Sequence, residues 1–281
     1  MRVACAQMRS TANVEQNLAQ VALQVRRAAA EGATLVATPE NTTFLGPSSL
    51  KLKIAEPVDG PTHRALGEIA RSERVWLLVG SVAERCEQPD RCYNTSLLYD
   101  NDGQLRAVYR KIHLFDVDIP GGPCFQESAF VEPGSTPMVA ESPVGLLGLS
   151  ICFDLRFPAL YQNLVAAGAT VLTVPSAFTV PTGEAHWHLL LRARAVESQA
   201  FVLAPAQEGR HDEAGIRTSY GHSLIVDPWG RVLADAGRDN PDGLAIADLD
   251  VSLVAQVRAG MPLRSPLWSH PAWRAQAGSA T

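Results

Sequence analysis

The sequence predicts an α/β fold in which helices cover the outer faces of a mixed sheet or of a pair of sheets. Short apolar segments of strand length alternate with segments of helical periodicity along the whole chain. No linker, repeat or low-complexity segment interrupts this alternation within the 281 residues. We therefore expect a single domain over residues 1–281, with a core over about 1–261 and a tail over 262–281.

The composition is that of a globular protein. Hydrophobic residues make up 46% of the chain and charged residues 19%, which excludes intrinsic disorder. A net charge of −5 without a dense basic run argues against a nucleic-acid partner. No apolar stretch reaches the roughly 18 residues of a membrane span, and the apolar region at the N-terminus is too short for a signal peptide. Five scattered cysteines without a CxxC pair indicate reduced thiols in a cytoplasmic protein.

The first half of the chain contains most of the predicted strands of one sheet. Asn13 and Gln16 have the spacing of a helix N-terminus, and Gly32 marks the end of that amphipathic segment. A turn over 100–103 predicts a hairpin. We predict helices over 13–32 and 62–74, and strands over 2–8, 34–38, 75–82, 95–99 and 105–111. Residues 112–137 show little periodicity, and a segment of this length is typical of a functional loop.

The second half repeats the alternation after residue 139. A turn over 227–230 joins two of its strands. We predict strands over 145–151, 171–174, 201–206, 222–226, 232–234 and 245–248, and helices over 159–167, 185–199 and 252–258.

Cys152 is the strongest local signal of chemistry. It lies between the apolar run 144–151 and Pro158, which suits the first turn of a helix. On such a turn a side chain projects outward, and backbone N–H groups are free to bind an oxyanion. Gly148 and Ser150 precede it as in a serine-hydrolase elbow, but the final glycine of that pattern is missing. Cys152 is thus either a nucleophile or a small buried apolar side chain, and the other four cysteines are interpreted as structural.

Lys111 is unusual because only three of the 24 basic residues are lysines. It ends a predicted strand and is followed by Ile112. An ammonium group can donate to a developing oxyanion and can lose its proton when it is desolvated, whereas a guanidinium does neither so readily. The alternative is an exposed surface lysine.

Two acidic residues are candidates for proton transfer. Glu40 directly follows the buried strand predicted over 34–38, at the edge where α/β proteins usually place their sites. A partly desolvated glutamate can accept a proton from a thiol and return it to a leaving amine. Glu127 lies in the long loop between Phe125 and Phe130. Either acid could instead be an ordinary loop residue.

Other site chemistries have less support in the sequence. A Cys–His enzyme stays open, because four histidines are available but none is placed beside Cys152. His186 and His188 indicate no metal site, since residues two apart on a helix do not share a face and no third ligand has a usual spacing. Neither a P-loop nor a G-x-G-x-x-G motif occurs, which leaves nucleotide binding without support.

Three motifs, taken together, resemble the nitrilase superfamily of carbon–nitrogen hydrolases. They contain Glu40 in Thr-Pro-Glu-Asn, Lys111 in Tyr-Arg-Lys-Ile-His-Leu-Phe-Asp and Cys152 in Ile-Cys-Phe-Asp-Leu-Arg-Phe-Pro. The resemblance extends from residue 2 to about residue 261. It is closest to the branch of ω-amidases and deaminated-glutathione amidases. The tail differs, because the family commonly ends in a basic pair followed by an Asp-Leu-Tyr segment.

The resemblance implies a four-layer α-β-β-α sandwich, a homodimer or higher homo-oligomer, and no cofactor. It also implies a triad of Glu40, Lys111 and Cys152, with Glu127 as a supporting acid. In the mechanism that the resemblance implies, Cys152 attacks an amide carbonyl and forms a thioester. Lys111 and the backbone N–H of Phe153 stabilise the oxyanion.

The implied substrate is a small amide that carries an α-keto carboxylate and is hydrolysed to acid and ammonia. Deaminated glutathione is the first candidate, followed by the ω-amides 2-oxoglutaramate and 2-oxosuccinamate, and then by nitriles or N-carbamoyl amino acids. Arg156, Arg210 and His211 are candidates for binding the carboxylate, since arginine pairs with it through two hydrogen bonds. The alternative for each is a structural ion pair. A catalytically silent scaffold protein is the remaining alternative, and the intact triad argues against it.

Overall fold

Two six-stranded sheets lie at the centre of the structure, a computed structural model that describes residues 1–118, 124–213, 215 and 217–263. Residues 264–281 of the predicted tail lie outside the described residues. The helices are α1 (Val14–Ala30), α2 (Ser48–Ile54), α3 (Pro61–Glu73), α4 (Pro158–Ala166), α5 (Val180–Ser198) and α6 (Ser252–Gly260). The strands are β1 (Arg2–Ala6), β2 (Leu35–Ala37), β3 (Trp76–Arg85), β4 (Cys92–Tyr99), β5 (Leu105–Arg110), β6 (Asp116–Asp118), β7 (Cys124–Gln126), β8 (Met138–Ser142), β9 (Gly145–Leu149), β10 (Val171–Thr173), β11 (Phe201–Ala204), β12 (Glu208–Arg210), β13 (Thr218–Tyr220), β14 (Leu224–Val226), β15 (Val232–Asp235) and β16 (Leu244–Asp248).

The two large sheets have similar strand orders. The first sheet has the order β16-β1-β2-β3-β4-β5, and the second has the order β15-β14-β11-β10-β9-β8. The central strands β1, β2 and β3 are parallel, as are β9, β10 and β11. Two short antiparallel pairs, β6 with β7 and β12 with β13, lie outside these sheets. The structure therefore has the mixed pair of sheets that the alternation of elements predicts.

The layers follow from the alternation of side chains along each strand. In β1, Val3 and Cys5 belong to the cluster that contains the buried residues of the second sheet, whereas Ala4 packs with residues of α1 and α3. Successive strand residues face opposite sides of a sheet, so each side of the first sheet meets a different layer. Helices α4 and α5 contact the second sheet. The result is the predicted α-β-β-α sandwich.

Several element boundaries differ from the predicted ones. Helix α2 is too short to give a periodic signal and was not predicted. Helix α5 begins at Val180, five residues before the predicted start, because Pro181 fits its first turn. Glycine is required at position 183 of this helix because a Cβ there would lie 2.2 Å from Cγ of Tyr220. Between β9 and α4 the chain forms a single turn of 3₁₀ helix, Cys152–Arg156, which periodicity could not indicate.

The predicted start of the first helix is confirmed, and four of the five cysteines can be assigned. The side chain of Asn13 accepts a hydrogen bond from the N–H of Gln16 and caps α1. Cys5, Cys86, Cys92 and Cys152 are free thiols. Among the helices of the described residues, none combines the length and the apolar character that a membrane crossing requires.

Candidate active site

The predicted residues follow strands that end at the same edge of the two sheets. Glu40 follows β2 and Lys111 follows β5; β5 runs in the direction of β2 because β3, β4 and β5 pair in successive antiparallel steps. Cys152 and Ala177 follow the parallel strands β9 and β10 of the second sheet. Carboxyl ends of parallel strands are where α/β proteins place their sites.

Glu40 is 4% exposed and is held by three donors. The Nζ of Lys111 and the Nδ2 of Asn94 each donate to its Oε1 at 3.0 Å. The N–H of Ala177 donates to its Oε2 at 3.0 Å. Each carboxylate oxygen can accept about two hydrogen bonds, so Oε2 retains capacity for one more proton donor.

Lys111 is 2% exposed and contacts two carboxylates. Its Nζ lies 3.0 Å from Glu40 Oε1 and 2.8 Å from Glu127 Oε2. Burial alone would lower the pKa of Lys111, but the charges of Glu127 and Glu40 outweigh it and raise that pKa well above its usual range. Lys111 is therefore an ammonium group that can donate hydrogen bonds and cannot accept a proton.

Glu127 joins the long loop to this cluster. Its Oε2 accepts hydrogen bonds from Lys111 Nζ and, at 2.7 Å, from the N–H of Phe115, and its Oε1 accepts one at 3.2 Å from Asn94 Nδ2. Burial acts to raise the pKa of Glu127, but the charge and hydrogen bond of Lys111 prevail and lower it. The side chain is thus a carboxylate that fixes both Lys111 and the loop.

Cys152 has a strained backbone on the turn after β9. Its φ is 49°, in the left-handed region that non-glycine residues seldom occupy, and such outliers cluster at functional sites. Burial raises the pKa of the thiol well above its usual range, and the charge of Glu40 adds to this, whereas Lys111 acts in the opposite direction. The resting side chain is therefore a thiol, and it needs a base before it can attack.

The turn leaves one backbone donor free beside the thiol. The N–H of Cys152 donates to the carbonyl of Pro175 at 3.0 Å. Within the described residues, the N–H of Phe153 meets no acceptor. With the Lys111 ammonium, this N–H gives the site two donors that an oxyanion on an attacked carbonyl can use.

Asp154, which sequence reasoning missed, ties this turn to the strand that carries Lys111. Its Oδ2 accepts hydrogen bonds from the Tyr109 hydroxyl at 2.7 Å and from the N–H of Ile151 at 2.9 Å. Its Oδ1 accepts hydrogen bonds from both the N–H and the Nδ1 of His113, at 3.0 and 2.7 Å. Because Tyr109 and His113 flank Lys111, this fully buried carboxylate fixes the nucleophile turn relative to the lysine.

Asn94 is the second residue that was missed. Its Nδ2 bridges Glu40 and Glu127, and its backbone carbonyl accepts a hydrogen bond from the N–H of Lys111 at 2.9 Å. Its Oδ1 is buried without a hydrogen-bond partner in the described part of the chain, which is uncommon for a polar atom. Asn94 directly precedes the strand predicted over 95–99, and the structure extends that strand to include it in β4.

A cavity of about 600 Å³ opens above these groups. Glu40, Lys111, Glu127 and Cys152 all contribute to its lining. Much of the remaining wall is aromatic and consists of Phe44, Phe115, Phe125, Phe130, Phe153 and Phe178. A concave, mainly apolar cavity with a few convergent polar groups is the usual form of a small-molecule site.

The three predicted carboxylate-binding residues have different positions. Arg156 lines the cavity, with its guanidinium 5.6 Å from the centre of the Phe178 ring and 3.2 Å from Nδ1 of the exposed His186. Arg210 is exposed on β12 and does not contribute to the lining, so its predicted role finds no support in the geometry.

His211 lines the cavity but cannot serve as a cation at neutral pH. Burial lowers the pKa of His211 to about 4. Its Nδ1 lies 2.8 Å from the carbonyl of Ser10, and its Nε2 lies 2.8 Å from the hydroxyl of Ser219. A neutral ring then donates to the carbonyl and accepts from the hydroxyl, so His211 positions Ser219 instead of binding a carboxylate by charge.

His186 and His188, the pair considered for a metal, do not share a face of α5, because they are two residues apart on a helix. His188 does have partners elsewhere in the chain, which sequence spacing could not indicate. His188 Nε2 and His222 Nδ1 lie 3.3 and 3.0 Å from Asp235 Oδ2. The ligand atoms of His188, His222 and Asp235 all lie within 4.8 Å of one another, a spacing at which such a group could hold a metal ion. The cluster is partly exposed and contributes nothing to the lining of the cavity.

Comparison with known proteins gives consistent matches over most of the chain. The family model for carbon–nitrogen hydrolases matches residues 2–259. The chain is 43% identical over 267 residues to the deaminated glutathione amidase of Mus musculus, an alignment that covers 93% of this chain and 81% of the mouse protein.

Solved structures agree with these matches. The C. elegans NitFhit protein superposes with a TM-score of 0.85 at 38% identity, over 96% of this chain and 64% of that chain. Saccharomyces cerevisiae Nit3, described as a member of branch 10 of the nitrilase superfamily, superposes with a TM-score of 0.83 at 30% identity, over 94% and 95% of the two chains.

Proposed function

This chain belongs to the carbon–nitrogen hydrolase family, and we propose that Glu40, Lys111 and Cys152 are its catalytic residues. It is an amidase of the nitrilase superfamily that acts on non-peptide amides. The observation that carries the proposal is the contact of one buried ammonium with a buried and a partly buried carboxylate, in a cavity that also contains the Cys152 thiol.

The first step is attack of the thiol on the amide carbonyl. Glu40 accepts the thiol proton as the bond between Sγ and the carbonyl carbon forms, and the carbonyl π electrons move onto oxygen. The raised pKa of Cys152 supports this order, since the proton has to move to a base during the attack. The free lone pair of Oε2, beside the Ala177 N–H, is available for that proton.

The second step is collapse of the tetrahedral intermediate. Lys111 and the N–H of Phe153 stabilise its oxyanion, and Lys111 remains protonated throughout. Glu40 gives its proton to the leaving nitrogen as the carbon–nitrogen bond breaks, which leaves an acyl thioester on Cys152. A water then attacks the thioester, Glu40 accepts a proton from it, and the thiol is regenerated together with the acid product.

We propose deaminated glutathione as the substrate, which is the substrate named for the mouse relative. In this compound the reacting amide joins a 2-oxoglutaryl group to cysteinylglycine, so the leaving group is the dipeptide amine. Release of ammonia, which the sequence led us to expect, therefore applies only to primary amides. The ω-amidase substrates 2-oxoglutaramate and 2-oxosuccinamate are the second candidates, because they share the same type of acyl group.

The substrate proposal is tested by a panel assay of purified protein. Deaminated glutathione, 2-oxoglutaramate, 2-oxosuccinamate, an N-carbamoyl amino acid and the neutral amide butyramide are compared by kcat/KM. We expect deaminated glutathione to have the highest value. A higher kcat/KM for any other member of the panel would contradict this substrate.

The catalytic proposal is tested with Cys152→Ala and a matched control, Cys92→Ala. Both side chains are buried free thiols, but Cys92 packs among apolar residues and does not itself line the cavity. We expect Cys152→Ala to abolish turnover with the fold retained, and Cys92→Ala to keep it. Retained turnover in Cys152→Ala would remove Cys152 from the mechanism, and absence of turnover in the wild type would favour the silent scaffold.

We also propose that the enzyme is a cytoplasmic homo-oligomer. Free thiols at four cysteines support a reducing compartment. Apolar side chains on and beside α5 support association: Leu189 is 66% exposed and Trp229 is 55% exposed. Sedimentation velocity tests the assembly, and a purely monomeric protein at micromolar concentration would contradict it.

A further inference from the structure

We infer that Lys51 binds the carboxylate on the acyl portion of the substrate, an inference that rests on the proposed function. Lys51 lies on α2 and lines the cavity, and it is only 8% exposed. Lys53 lies two residues further along the same helix and is exposed. The two residues thus share a helix and a residue type but differ in access to the cavity.

The ammonium of Lys51 has a neutral partner where a buried cation usually has a charged one. Its Nζ donates to the Oδ1 of Asn41 at 2.8 Å. Across the described residues, no carboxylate oxygen lies within 4.0 Å of this Nζ. An ammonium group has three donors, and burying a charge without an ionic partner is costly. A carboxylate of the substrate would supply both the missing ionic partner and a further hydrogen-bond acceptor for this ammonium.

The charges of the cavity indicate why a cation is needed there. Glu40 and Glu127 carry two negative charges and Lys111 carries one positive charge, so these three groups together are negative. An anionic substrate would be repelled by that excess. Lys51 is near enough for its charge to help lower the pKa of Glu127, which places it within electrostatic reach of the same groups.

The two arginines of the lining are more exposed than Lys51. Arg156 contacts His186 and the faces of two phenylalanine rings. Arg217 lies 3.6 Å from Asp212, and its side chain is 38% exposed. Lys51 is more buried than either arginine, and its one neutral hydrogen bond leaves its charge available. The candidate substrates differ in their leaving groups but share a 2-oxo acid on the acyl side, so a fixed cation serves that shared group.

Binding of 2-oxoglutarate, the acid product shared by two candidate substrates, tests the inference without requiring turnover. Isothermal titration calorimetry is performed on wild type, Lys51→Met, Lys51→Gln and the control Lys53→Met. A hydrogen bond to a charged group commonly contributes enough for an affinity change of about 10- to 100-fold. We expect Lys51→Met and Lys51→Gln to lose that much affinity, with Lys53→Met equal to wild type.

Each other outcome overturns the inference. Wild-type affinity in Lys51→Met, or no binding of 2-oxoglutarate to wild type, would exclude Lys51 as the carboxylate site. Retained affinity in Lys51→Gln alone, which keeps a donor for Asn41, would assign Lys51 a hydrogen-bonding role within the fold. A loss that is equal in Lys53→Met would indicate a general effect of surface charge.

A kinetic comparison separates this inference from the proposed function. In Lys51→Met the ratio of kcat/KM for 2-oxoglutaramate to that for butyramide should fall about 10- to 100-fold. An equal fall for both amides would overturn the role of Lys51 but leave the catalytic triad in place. A fall only for deaminated glutathione would move Lys51 to the leaving-group side and overturn the acyl assignment. The proposed catalytic triad is tested separately, because turnover retained in Cys152→Ala would contradict it whatever the result for Lys51.

Discussion

The Nζ of Lys111 lies 3.0 Å from the Oε1 of Glu40, and both side chains are almost fully buried. The residues are 71 positions apart, and they meet because β2 and β5 end at the same edge of one sheet. Two charges of opposite sign at this distance are stable in the interior only if their remaining hydrogen-bonding groups are satisfied. Asn94, Ala177 and Glu127 supply those contacts.

Replacement of Lys111 is expected to reduce both activity and stability. Lys111→Met removes one of two oxyanion donors, which commonly costs about 10²–10³ in kcat. It also leaves Glu40 and Glu127 buried without their counter-ion, which destabilises a protein by about 3–5 kcal/mol. Steady-state kinetics and urea denaturation measure the two effects, with Lys53→Met as the control. Activity within threefold of wild type would contradict the role of Lys111.

Replacement of Glu40 is expected to affect the chemical step more than binding. Glu40→Gln keeps a similar shape and an oxygen that can accept from Lys111 but removes the proton acceptor, and loss of general acid–base catalysis costs about 10²–10⁴ in rate. The decrease should appear in kcat, with a smaller change in KM. Glu56→Gln serves as the control, because Glu56 caps the start of α3 away from the cavity lining. An unchanged kcat would exclude Glu40 as the base.

Removal of the Tyr109 hydroxyl tests the link between the nucleophile turn and β5. Tyr109→Phe deprives the buried Asp154 of one of its donors, and a buried acceptor with fewer partners costs about 1–3 kcal/mol of unfolding free energy. We also expect a lower kcat, because the turn that carries Cys152 is then held less firmly in position relative to Lys111. Tyr93→Phe is the control, since Tyr93 packs against Arg110 and is partly exposed. Equal stability of the two variants would contradict this role.

The lowered pKa of His211 predicts that the unfolding free energy depends on pH. Its pKa is lowered from 6.5 to about 4 in the folded protein, so below pH 6.5 the unfolded chain takes up a proton that the folded protein does not. Stability is therefore lost as the pH falls from 6.5 towards 4, by up to about 3 kcal/mol at 1.36 kcal/mol per pKa unit. The unfolding free energy of His211→Gln should depend less on pH in this window. The exposed His186→Gln should keep the wild-type slope, and the same slope in both variants would contradict the lowered pKa.

Each of the three proposed catalytic residues has a local signal in the sequence, but only the resemblance to the nitrilase superfamily joined them in one triad. Glu40 and Cys152 follow apolar runs of strand length, and Lys111 is a lysine in a chain that otherwise uses arginine. Strand ends in α/β proteins converge by topology, which explains why residues so far apart in the chain lie around one cavity. The predicted layers follow from the same alternation.

Other parts of the site depend on contacts that spacing cannot indicate. Asp154 acts through Tyr109 and His113, more than 40 residues away, and Asn94 acts through two acids on different segments. His211 looked like a cation in the sequence, but its charge is decided by burial. Lys51 did have a signal, its rarity among the basic residues, which was applied only to Lys111.

The most direct test of the mechanism is mass spectrometry of the enzyme quenched with acid during turnover of deaminated glutathione. The Cys152 peptide should carry a 2-oxoglutaryl group as a thioester, at higher occupancy when hydrolysis is slow, and the Cys92 peptide should be unmodified. An unmodified Cys152 peptide during product formation, with the method able to detect a thioester standard, would contradict the covalent mechanism.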